Sequence, residues 1–314
     1  MDSIALLFPG QGAQTVGMGR DIAEMSPPAR QTFDAANETL DMELDRLCFE
    51  GPQVELSRSD VAQPAILTVS VATLRALEDA AGGLPPVAGT AGLSLGEYSA
   101  LVAAGALEFR DAVGLVRKRG LYMQEACDAN PGTMYSVLGL EDEEVEDACT
   151  EARGRSNGLV WPANYNCPGQ VVISGQEKAA AYAAEICDEM GARRVIQLDV
   201  AGAFHTRLME PARDKLAIEL ENVEISEPRY PVVSNVTGEP NRDPDRIREL
   251  LALQVTSSVR WADGMRWLAG QGITDYLEVG PGKVLRGLLR RIDRSLNCQS
   301  VNTAEDVTET ADTL

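Results

Sequence analysis

Histidine is almost absent from this 314-residue chain, and only His205, in the stretch AGAFHTRLME, carries an imidazole. We therefore expect no zinc site, because the six cysteines are also scattered and none forms a CxxC pair. A chain of this size needs no disulfide staples, so reduced and mostly buried thiols are expected. If His205 is catalytic, the sequence must also supply a nucleophile with its own local signature.

Long apolar runs and an excess of positive charge are also missing. No stretch reaches the roughly 20 apolar residues that cross a bilayer, and the N-terminal run from Ile4 to Phe8 lacks the basic flank of a signal peptide. Lys plus Arg number 28 against 48 for Asp plus Glu, a formal charge of −20. This charge opposes nucleic acid and anionic membranes as partners. We expect a cytoplasmic protein, and a monomer, that binds neither.

The apolar pattern predicts an α/β fold, because short buried runs alternate with helical periodicity. Residues 1–128 and 200–300 are predicted to form a large α/β-hydrolase-like subdomain with a parallel sheet. Residues 129–199 show the order βαββαβ, which predicts an inserted small ferredoxin-like subdomain. The last residues, 301–314, are rich in Thr and acidic side chains without apolar periodicity, and we expect them to be disordered.

The sharpest local signal is Gly92-Leu93-Ser94-Leu95-Gly96, a G-x-S-x-G motif between a predicted strand and a predicted helix. Glycines on both sides of the serine permit a strained turn that other chain segments approach closely. Such a turn exposes the hydroxyl at the sheet edge and at the start of a helix, where free N–H groups face a reacting carbonyl. A structural turn is the alternative reading, since Gly and Ser are common in turns.

A serine nucleophile needs a base, and His205 is the only imidazole available. A lone histidine is more often a satisfied core or surface residue. Here the serine elbow favours catalysis, because without His205 a lysine or carboxylate would have to replace it. His205 also follows the predicted insert directly and is preceded by small residues. We predict that it is the partner of Ser94.

Six motifs, in order, resemble those of the malonyl-CoA:acyl-carrier-protein transacylases of fatty acid synthesis and the related acyltransferase domains of polyketide synthases. The resemblance covers nearly the whole chain, to about residue 300. The motifs are FPGQGAQ at 8–14, GLSLGEY at 92–98, RKRG at 117–120 with Met123-Gln124 following, NYNCPGQ at 164–170, GAFH at 202–205 and EVGPG at 278–282. They are too many and too well ordered to be coincidental.

The resemblance implies a malonyl-serine intermediate on Ser94, with His205 moving the proton. It assigns orientation of the histidine to main-chain carbonyls, one of them from Gln254. It assigns the oxyanion to the backbone N–H groups of Gln11 and Leu95.

The resemblance also assigns the acyl pocket. Arg119 would clamp the malonyl carboxylate through two hydrogen bonds, beside Met123. Phe204 resembles family variants that prefer malonyl over methylmalonyl, since its bulk would crowd a 2-methyl branch. Taken alone, Arg119 would read as a surface helix residue and Phe204 as core.

The partners implied are malonyl-CoA and an acidic acyl carrier protein, which a strongly acidic enzyme can meet only through a local basic face. Two sets of basic residues are candidates: Lys283, Arg286 and Arg290 with Arg294 on one helical stripe, and Arg193 with Arg194 near the end of the insert. A solvated helix face with intrahelical pairs is the alternative. No cofactor is expected, because no G-x-G-x-x-G follows a strand and no P-loop is present.

One position departs from the family pattern, because Leu93 stands where histidine usually precedes the nucleophile. That histidine is not the general base, so the mechanism survives. Three other functions stay open at this stage. They are a free-standing acyltransferase that loads polyketide synthase carriers, a serine esterase or thioesterase, and a non-catalytic carrier-binding protein. Against the hydrolases, nothing marks an acidic triad residue between Ser94 and His205.

Overall fold

The computed structural model describes residues 3–314. Ten strands and fourteen α-helices are defined within that range. The strands are β1 (Ile4–Phe8), β2 (Val87–Gly92), β3 (Gly132–Leu138), β4 (Val160–Cys167), β5 (Gln170–Gln176), β6 (Arg194–Gln197), β7 (Val232–Val233), β8 (Pro240–Asn241), β9 (Asp275–Val279) and β10 (Asn297–Val301). The helices are α1 (Arg20–Met25), α2 (Pro27–Leu40), α3 (Leu44–Glu50), α4 (Gln53–Leu56), α5 (Ser59–Ala81), α6 (Gly96–Ala103), α7 (Phe109–Ala129), α8 (Asp142–Ser156), α9 (Glu177–Glu189), α10 (Glu210–Glu221), α11 (Pro244–Gln254), α12 (Trp261–Gly270), α13 (Val284–Ile292) and α14 (Ala304–Ala311).

The larger sheet has six strands in the order β10-β9-β1-β2-β7-β8. All neighbours run parallel except the short β7–β8 pair at one edge. Every residue of β1 is buried, as a central parallel strand covered on both faces requires. Helices α5 and α7 pack closely because Gly120 has no side chain, and a Cβ there would collide with the main chain of Ser59.

The smaller sheet has four antiparallel strands in the order β4-β5-β3-β6. Together with α8 and α9 it gives the order βαββαβ, and the two helices share a separate apolar core with the strands. The predicted fold class is confirmed: a mostly parallel α/β sheet carries an inserted ferredoxin-like unit. Glu141 and Glu144 form a capping box at the start of α8, which accounts for the abrupt change from β3 to helix.

The inserted unit is joined to the rest of the chain through β4. The Tyr165 N–H donates to the Val259 carbonyl at 2.9 Å, and the Val259 N–H donates to the Ala163 carbonyl at 2.8 Å. The Ser258 hydroxyl adds a bond to the Pro162 carbonyl at 2.7 Å. These bonds hold the segment that follows α11 against the insert, and that segment carries part of the site described below.

The prediction of a disordered tail at 301–314 is wrong, because β10 ends at Val301 and α14 follows it. A capping box of Thr303 and Asp306 starts this helix, and Val307 and Thr310 are buried on its inner face. The Ala304 N–H donates to the carboxylate of Asp21 at 2.7 Å, which ties α14 to α1. Two buried side chains in eight residues do not give a detectable apolar period. The Thr-x-x-Asp pattern, however, could have indicated a helix start.

The described residues include no helix long and apolar enough to cross a membrane. All six cysteines are buried free thiols.

Candidate active site

Ser94 sits in the tight turn between β2 and α6. Its φ of 52° is left-handed, which non-glycine residues seldom adopt. A Cβ on Gly92 would collide with the main chain of Gly96, and one on Gly96 would collide with the Phe8 carbonyl. The glycines are therefore needed for the turn to form, and the motif is a strained elbow that presents the serine.

The hydroxyl of Ser94 lies 2.8 Å from Nε2 of His205. On the other side of the ring, Nδ1 lies 2.9 Å from the main-chain carbonyl of Gln254. A carbonyl oxygen only accepts, so Nδ1 must carry the proton and Nε2 is left to accept the serine proton. The structure thus brings together a nucleophile and a base in the tautomer that proton abstraction requires.

The charge state of His205 also suits a base. Burial lowers its pKa from 6.5 to about 4, and the positive charge of Arg119 acts in the same direction. The imidazole is therefore neutral near pH 7. Its backbone has a φ of 59°, so both members of the pair occupy the left-handed region.

Arg119 projects from α7 into this site and is only 1% exposed. Its Nη2 donates to the Ser94 hydroxyl at 3.1 Å and to Oε1 of Gln254 at 2.9 Å. Its Nη1 donates to Oε1 of Gln63 at 2.7 Å, and its guanidinium lies 5.6 Å from the Tyr98 ring centroid. Nε has no hydrogen-bond partner within residues 3–314. A buried cation with spare donor capacity beside the nucleophile is suited to bind an anionic substrate group.

The backbone N–H groups of Gln11 and Leu95 have no hydrogen-bond acceptor among residues 3–314. Leu95 directly follows the nucleophile and precedes α6, so its N–H belongs to the start of that helix. The Gln11 side chain is anchored by a 3.1 Å bond to the Ser59 hydroxyl. Both groups are free to stabilise negative charge that develops on a carbonyl oxygen.

Met123 and Phe204 are buried in the main apolar core. The Met123 sulfur accepts a weak hydrogen bond from Nε2 of Gln63 at 3.6 Å, which places it next to the residue that orients Arg119. The Phe204 carbonyl accepts from the Ser174 hydroxyl of β5 at 2.8 Å, so the inserted unit fixes the residue before His205.

A cleft of about 470 Å³ opens beside His205, between the inserted unit and the segment that follows α11. Acidic and basic side chains and two aromatic side chains line its walls. They include Glu146, Arg153, Trp161, Tyr165, Arg207 and Ser257. The cleft is open to solvent and reaches His205.

Three further residues of the site were assigned no role by any sequence motif, although Glu97 lies inside GLSLGEY. Gln63 is a buried amide of α5, and Glu97 is the one charged residue of α6. A large polar side chain in a helix expected to be buried is the signal that could have found both of them. Asn235 accepts from the Ser94 N–H at 2.6 Å and donates to the Gly92 carbonyl at 2.7 Å, and nothing local in the sequence distinguishes it from a turn asparagine.

Leu93, the departure from the family pattern, is half-buried and packs against the apolar cluster that includes Ala5, Leu7 and Ala91. This position is therefore stabilised by apolar contact.

The candidate docking residues Lys283, Arg286, Arg290, Arg193 and Arg194 are all exposed. Helix α13 is shorter than the predicted stripe, because it spans Val284–Ile292 and leaves Lys283 and Arg294 outside. The sequence of α13, VLRGLLRRI, contains no acid, so these arginines have no intrahelical pairs.

The two basic sets are linked through the turns between them. Arg291 of α13 donates to the Gln170 side chain at 2.6 Å, and the neighbouring Gly169 carbonyl accepts from the Gly139 N–H at 2.9 Å. The Arg193 N–H in turn donates to the carbonyl of Leu138 at 2.7 Å. These bonds connect the segments that carry the two basic sets.

No group of three or more His, Cys, Asp or Glu side chains that could hold a metal ion occurs within residues 3–314.

A serine elbow, a neutral histidine and a buried arginine, placed on an α/β sheet with a ferredoxin-like insert, define a serine-dependent acyl transferase. The chain belongs to the acyl transferase domain family, whose model matches residues 5–308. It is 45% identical over 307 residues to the malonyl CoA-acyl carrier protein transacylase of Bacillus subtilis, covering 98% of this chain and 96% of that one. It is 43% identical over 302 residues to the protein of that name from Escherichia coli, with 96% of each chain covered.

Solved structures agree. An acyl carrier protein S-malonyltransferase from Vibrio cholerae matches with a TM-score of 0.94 and 42% identity, covering 99% of this chain and 100% of that one. A malonyl-transacylase solved in complex with its type II PKS acyl carrier protein matches with a TM-score of 0.95 and 40% identity, covering 99% of this chain and 100% of that one. The family resemblance predicted from the six motifs is confirmed.

Proposed function

We propose that this protein transfers the malonyl group of malonyl-CoA to the thiol of acyl carrier protein for fatty acid synthesis. The observation that carries the proposal is the position of Arg119. A buried guanidinium that touches both the nucleophile's hydroxyl and Gln254 is unnecessary for attack on a neutral acyl thioester. It is required if the acyl group carries a carboxylate, because burying that anion without a partner would be prohibitively costly.

The chemistry divides into two half-reactions through a malonyl-serine. In the first, Ser94 Oγ attacks the thioester carbonyl of malonyl-CoA while His205 Nε2 accepts its proton. The N–H groups of Gln11 and Leu95 hold the oxyanion, and the C–S bond then breaks. The departing CoA sulfur receives the proton from His205. In the second, His205 deprotonates the phosphopantetheine thiol, and the thiolate attacks the carbonyl of the Ser94 ester. The bond between the acyl carbon and Oγ then breaks, and His205 returns the proton to Oγ.

The roles around the pair follow from their contacts. The Gln254 carbonyl keeps the Nδ1 proton in place and stabilises the imidazolium that forms during each transfer. Arg119 binds the malonyl carboxylate and so fixes the acyl chain against the nucleophile. Met123 and Phe204 bound the acyl pocket.

Replacing Phe204 with alanine is expected to weaken the preference for malonyl over methylmalonyl by about tenfold, because one methyl branch in a packed pocket is worth roughly 1–3 kcal/mol. The measurement is the ratio of kcat/KM for malonyl-CoA and methylmalonyl-CoA. Phe109→Ala, a comparable loss of ring volume in the core at the start of α7, is the control for general loosening. An unchanged ratio in Phe204→Ala would remove this residue from the acyl pocket.

The partner is an acyl carrier protein, and we assign its docking to the basic surface formed by Lys283, Arg286, Arg290, Arg193 and Arg194. The whole enzyme carries a charge of −20, so an acidic carrier would be repelled from most of its surface. Exposed arginines without acidic neighbours on α13 provide the local attraction that steers such a partner.

Charge reversal at Arg286 and Arg290 is expected to raise KM for the carrier by about tenfold or more while malonyl-CoA loading stays unchanged, since the rate of encounter depends on complementary charge. Steady-state transfer at varied carrier concentration measures the first, and intact-protein mass spectrometry of the malonyl-enzyme measures the second. Arg46→Glu with Arg110→Glu makes the same change in net charge elsewhere on the surface. Equal effects of the two double variants, or equal effects on both half-reactions, would contradict local docking.

The function is tested directly by incubating the enzyme with malonyl-, methylmalonyl- or acetyl-CoA and measuring the mass of the intact protein by mass spectrometry. A malonyl adduct on Ser94, absent in Ser94→Ala and discharged by holo carrier protein, is the expected result. Steady hydrolysis of p-nitrophenyl esters without transfer to a thiol would support an esterase or thioesterase. Absence of any adduct would support the non-catalytic alternative.

A second candidate, loading of polyketide synthase carriers, is favoured by the similarity to the malonyl-transacylase solved with a type II PKS carrier protein. It uses the same site and the same malonyl-serine. Comparing kcat/KM for carriers of the two pathways separates it from the fatty acid role.

A further inference from the structure

Among residues 3–314, Glu97 is the one carboxylate enclosed in the site, and it is only 3% exposed. Its Oε2 accepts from Nε2 of Gln254 at 2.6 Å and from the backbone N–H of Asn235 at 3.1 Å. Its carboxylate makes no hydrogen bond with Ser94, His205 or Arg119, although the Glu97 backbone N–H donates to the Ser94 carbonyl at 3.1 Å. Its two partners, however, each contact the reacting groups directly.

Asn235 and Gln254 hold the nucleophile from both ends of its residue. The Asn235 side chain accepts from the Ser94 N–H, and Nε2 of Gln254 donates to the Ser94 carbonyl at 3.0 Å. The φ of 52° at Ser94 is strained, so such a turn persists only when surrounding bonds over-determine it. The carboxylate of Glu97 braces both of the residues that make those bonds.

Gln254 also links the base to the arginine, and the direction of its side-chain amide matters. Oε1 faces Arg119, Nε2 faces Glu97, and the main-chain carbonyl faces His205. A rotated amide would aim its NH₂ group at the guanidinium and lose both bonds. An acceptor that cannot donate, as an ionised carboxylate is, permits only the observed direction.

We propose that Glu97 is a positioning residue for the malonyl transfer proposed above: its carboxylate fixes Asn235 and Gln254, and through them Ser94, His205 and Arg119. Its charge is part of this role, because bonds to an ionised acceptor are roughly twice as strong as neutral ones. It also supplies buried negative charge that acts on Arg119.

Protonation of Glu97 is expected to weaken the brace. Burial raises its pKa from 4.5 to about 7, against the opposing effect of its hydrogen bonds and of Arg119. The ionisable groups that act on it are Arg119 from α7 and Tyr98 on its own helix. His205 is linked to it only through Gln254 and titrates lower, at about 4. We therefore expect a loss of activity as pH falls through 7 to reflect protonation of Glu97.

The test is the rate of malonyl-enzyme formation from malonyl-CoA between pH 5.5 and 8.5 in the wild type, Glu97→Gln and Glu97→Asp. We expect a one-proton limb near pH 7 in the wild type. In Glu97→Gln the limb disappears and the rate at pH 8 is lower by about ten- to a hundredfold, the usual effect of removing an outer orienting partner. Glu97→Asp retains a carboxylate and is expected to restore the limb at a reduced rate.

Glu278 provides a matched control. It is also a buried acid, held by the N–H groups of Leu285 and Arg286 and by the Ser300 hydroxyl, and it lies outside the Ser94 network. Glu278→Gln is expected to keep the limb even if it lowers the melting temperature. A Glu97→Gln enzyme that loses rate but keeps the limb, or that keeps both, overturns the inference. A wild type that forms no malonyl-enzyme contradicts the proposed function instead.

Discussion

Replacing His205 with alanine is expected to lower the rate of malonyl-enzyme formation by about 10²- to 10⁴-fold, the contribution of a positioned general base. The serine keeps its place, because Asn235 and Gln254 hold its main chain independently of the imidazole. Rapid-quench sampling followed by intact-protein mass spectrometry measures the rate. Transfer from the malonyl-enzyme to holo carrier should fall by a similar factor, since the same nitrogen must activate the incoming thiol.

Stability provides an independent readout of the same variant. The folded protein holds His205 neutral with a pKa of about 4, whereas the ordinary value is 6.5. The unfolded chain therefore binds more protons than the folded one between these values, and this residue makes the wild type less stable as pH falls through them. In His205→Ala, the free energy of unfolding from denaturant titrations should therefore fall less between pH 6.5 and pH 4.5 than it does in the wild type. A variant that forms the malonyl-enzyme at the normal rate would refute the assignment of the base.

Removing the guanidinium of Arg119 is expected to have an effect that depends on the acyl group. Arg119→Ala should lower kcat/KM for malonyl-CoA by about 30- to 5,000-fold, because a buried carboxylate loses its charged partner. This range corresponds to a loss of roughly 2–5 kcal/mol of transition-state stabilisation. The neutral acetyl group never makes that bond, so acetyl-CoA loading should fall far less. The ratio of the two specificity constants is the quantity to measure, since it cancels general damage to the site.

The neighbouring Lys118 is the control for Arg119. Its ammonium pairs with Glu219 at 2.6 Å on the outer face of the same helix, so Lys118→Ala removes an equal charge without entering the site. Arg119→Lys is the more demanding variant. It keeps the charge but not the planar pair of donors, and an intermediate loss is expected. An equal loss with malonyl-CoA and acetyl-CoA in Arg119→Ala would mean that the arginine only supports the fold of the site.

The sequence predicted those parts of the site whose chemistry is tied to a local pattern. The elbow around Ser94 required glycines within two residues, and the scarcity of imidazole left His205 as the only base of its kind. No local pattern distinguished Arg119, because Arg117 and Lys118 beside it carry the same charge. The family resemblance selected it, and only the packing of α7 against α5 gives the physical reason.

The contacts of the supporting residues could not be predicted, because their partners are distant in the chain. Asn235 contacts Ser94 across 141 residues, and Gln63 contacts Arg119 across 56. No local spacing encodes such contacts, which depend on how the strands order themselves in the sheet. The prediction for the tail was wrong for another reason. Helix α14 has only eight residues, too few to show an apolar period, and it is stabilised by its cap and by packing on α1 and α5.

The strand order of the inserted unit has a consequence for the time course of folding. Ser94 and His205 are 111 residues apart and Gln254 lies further on, so their contacts close very long loops. Strands β3 and β6 are antiparallel neighbours, and the Leu198 N–H donates to the Met134 carbonyl where the chain leaves the unit. Once folded, the insert brings its two ends together and removes most of that loop, so it lowers the entropic cost of closing the site. During synthesis the insert is complete before Gln254 emerges, and we expect the active site to be among the last parts of the molecule to form.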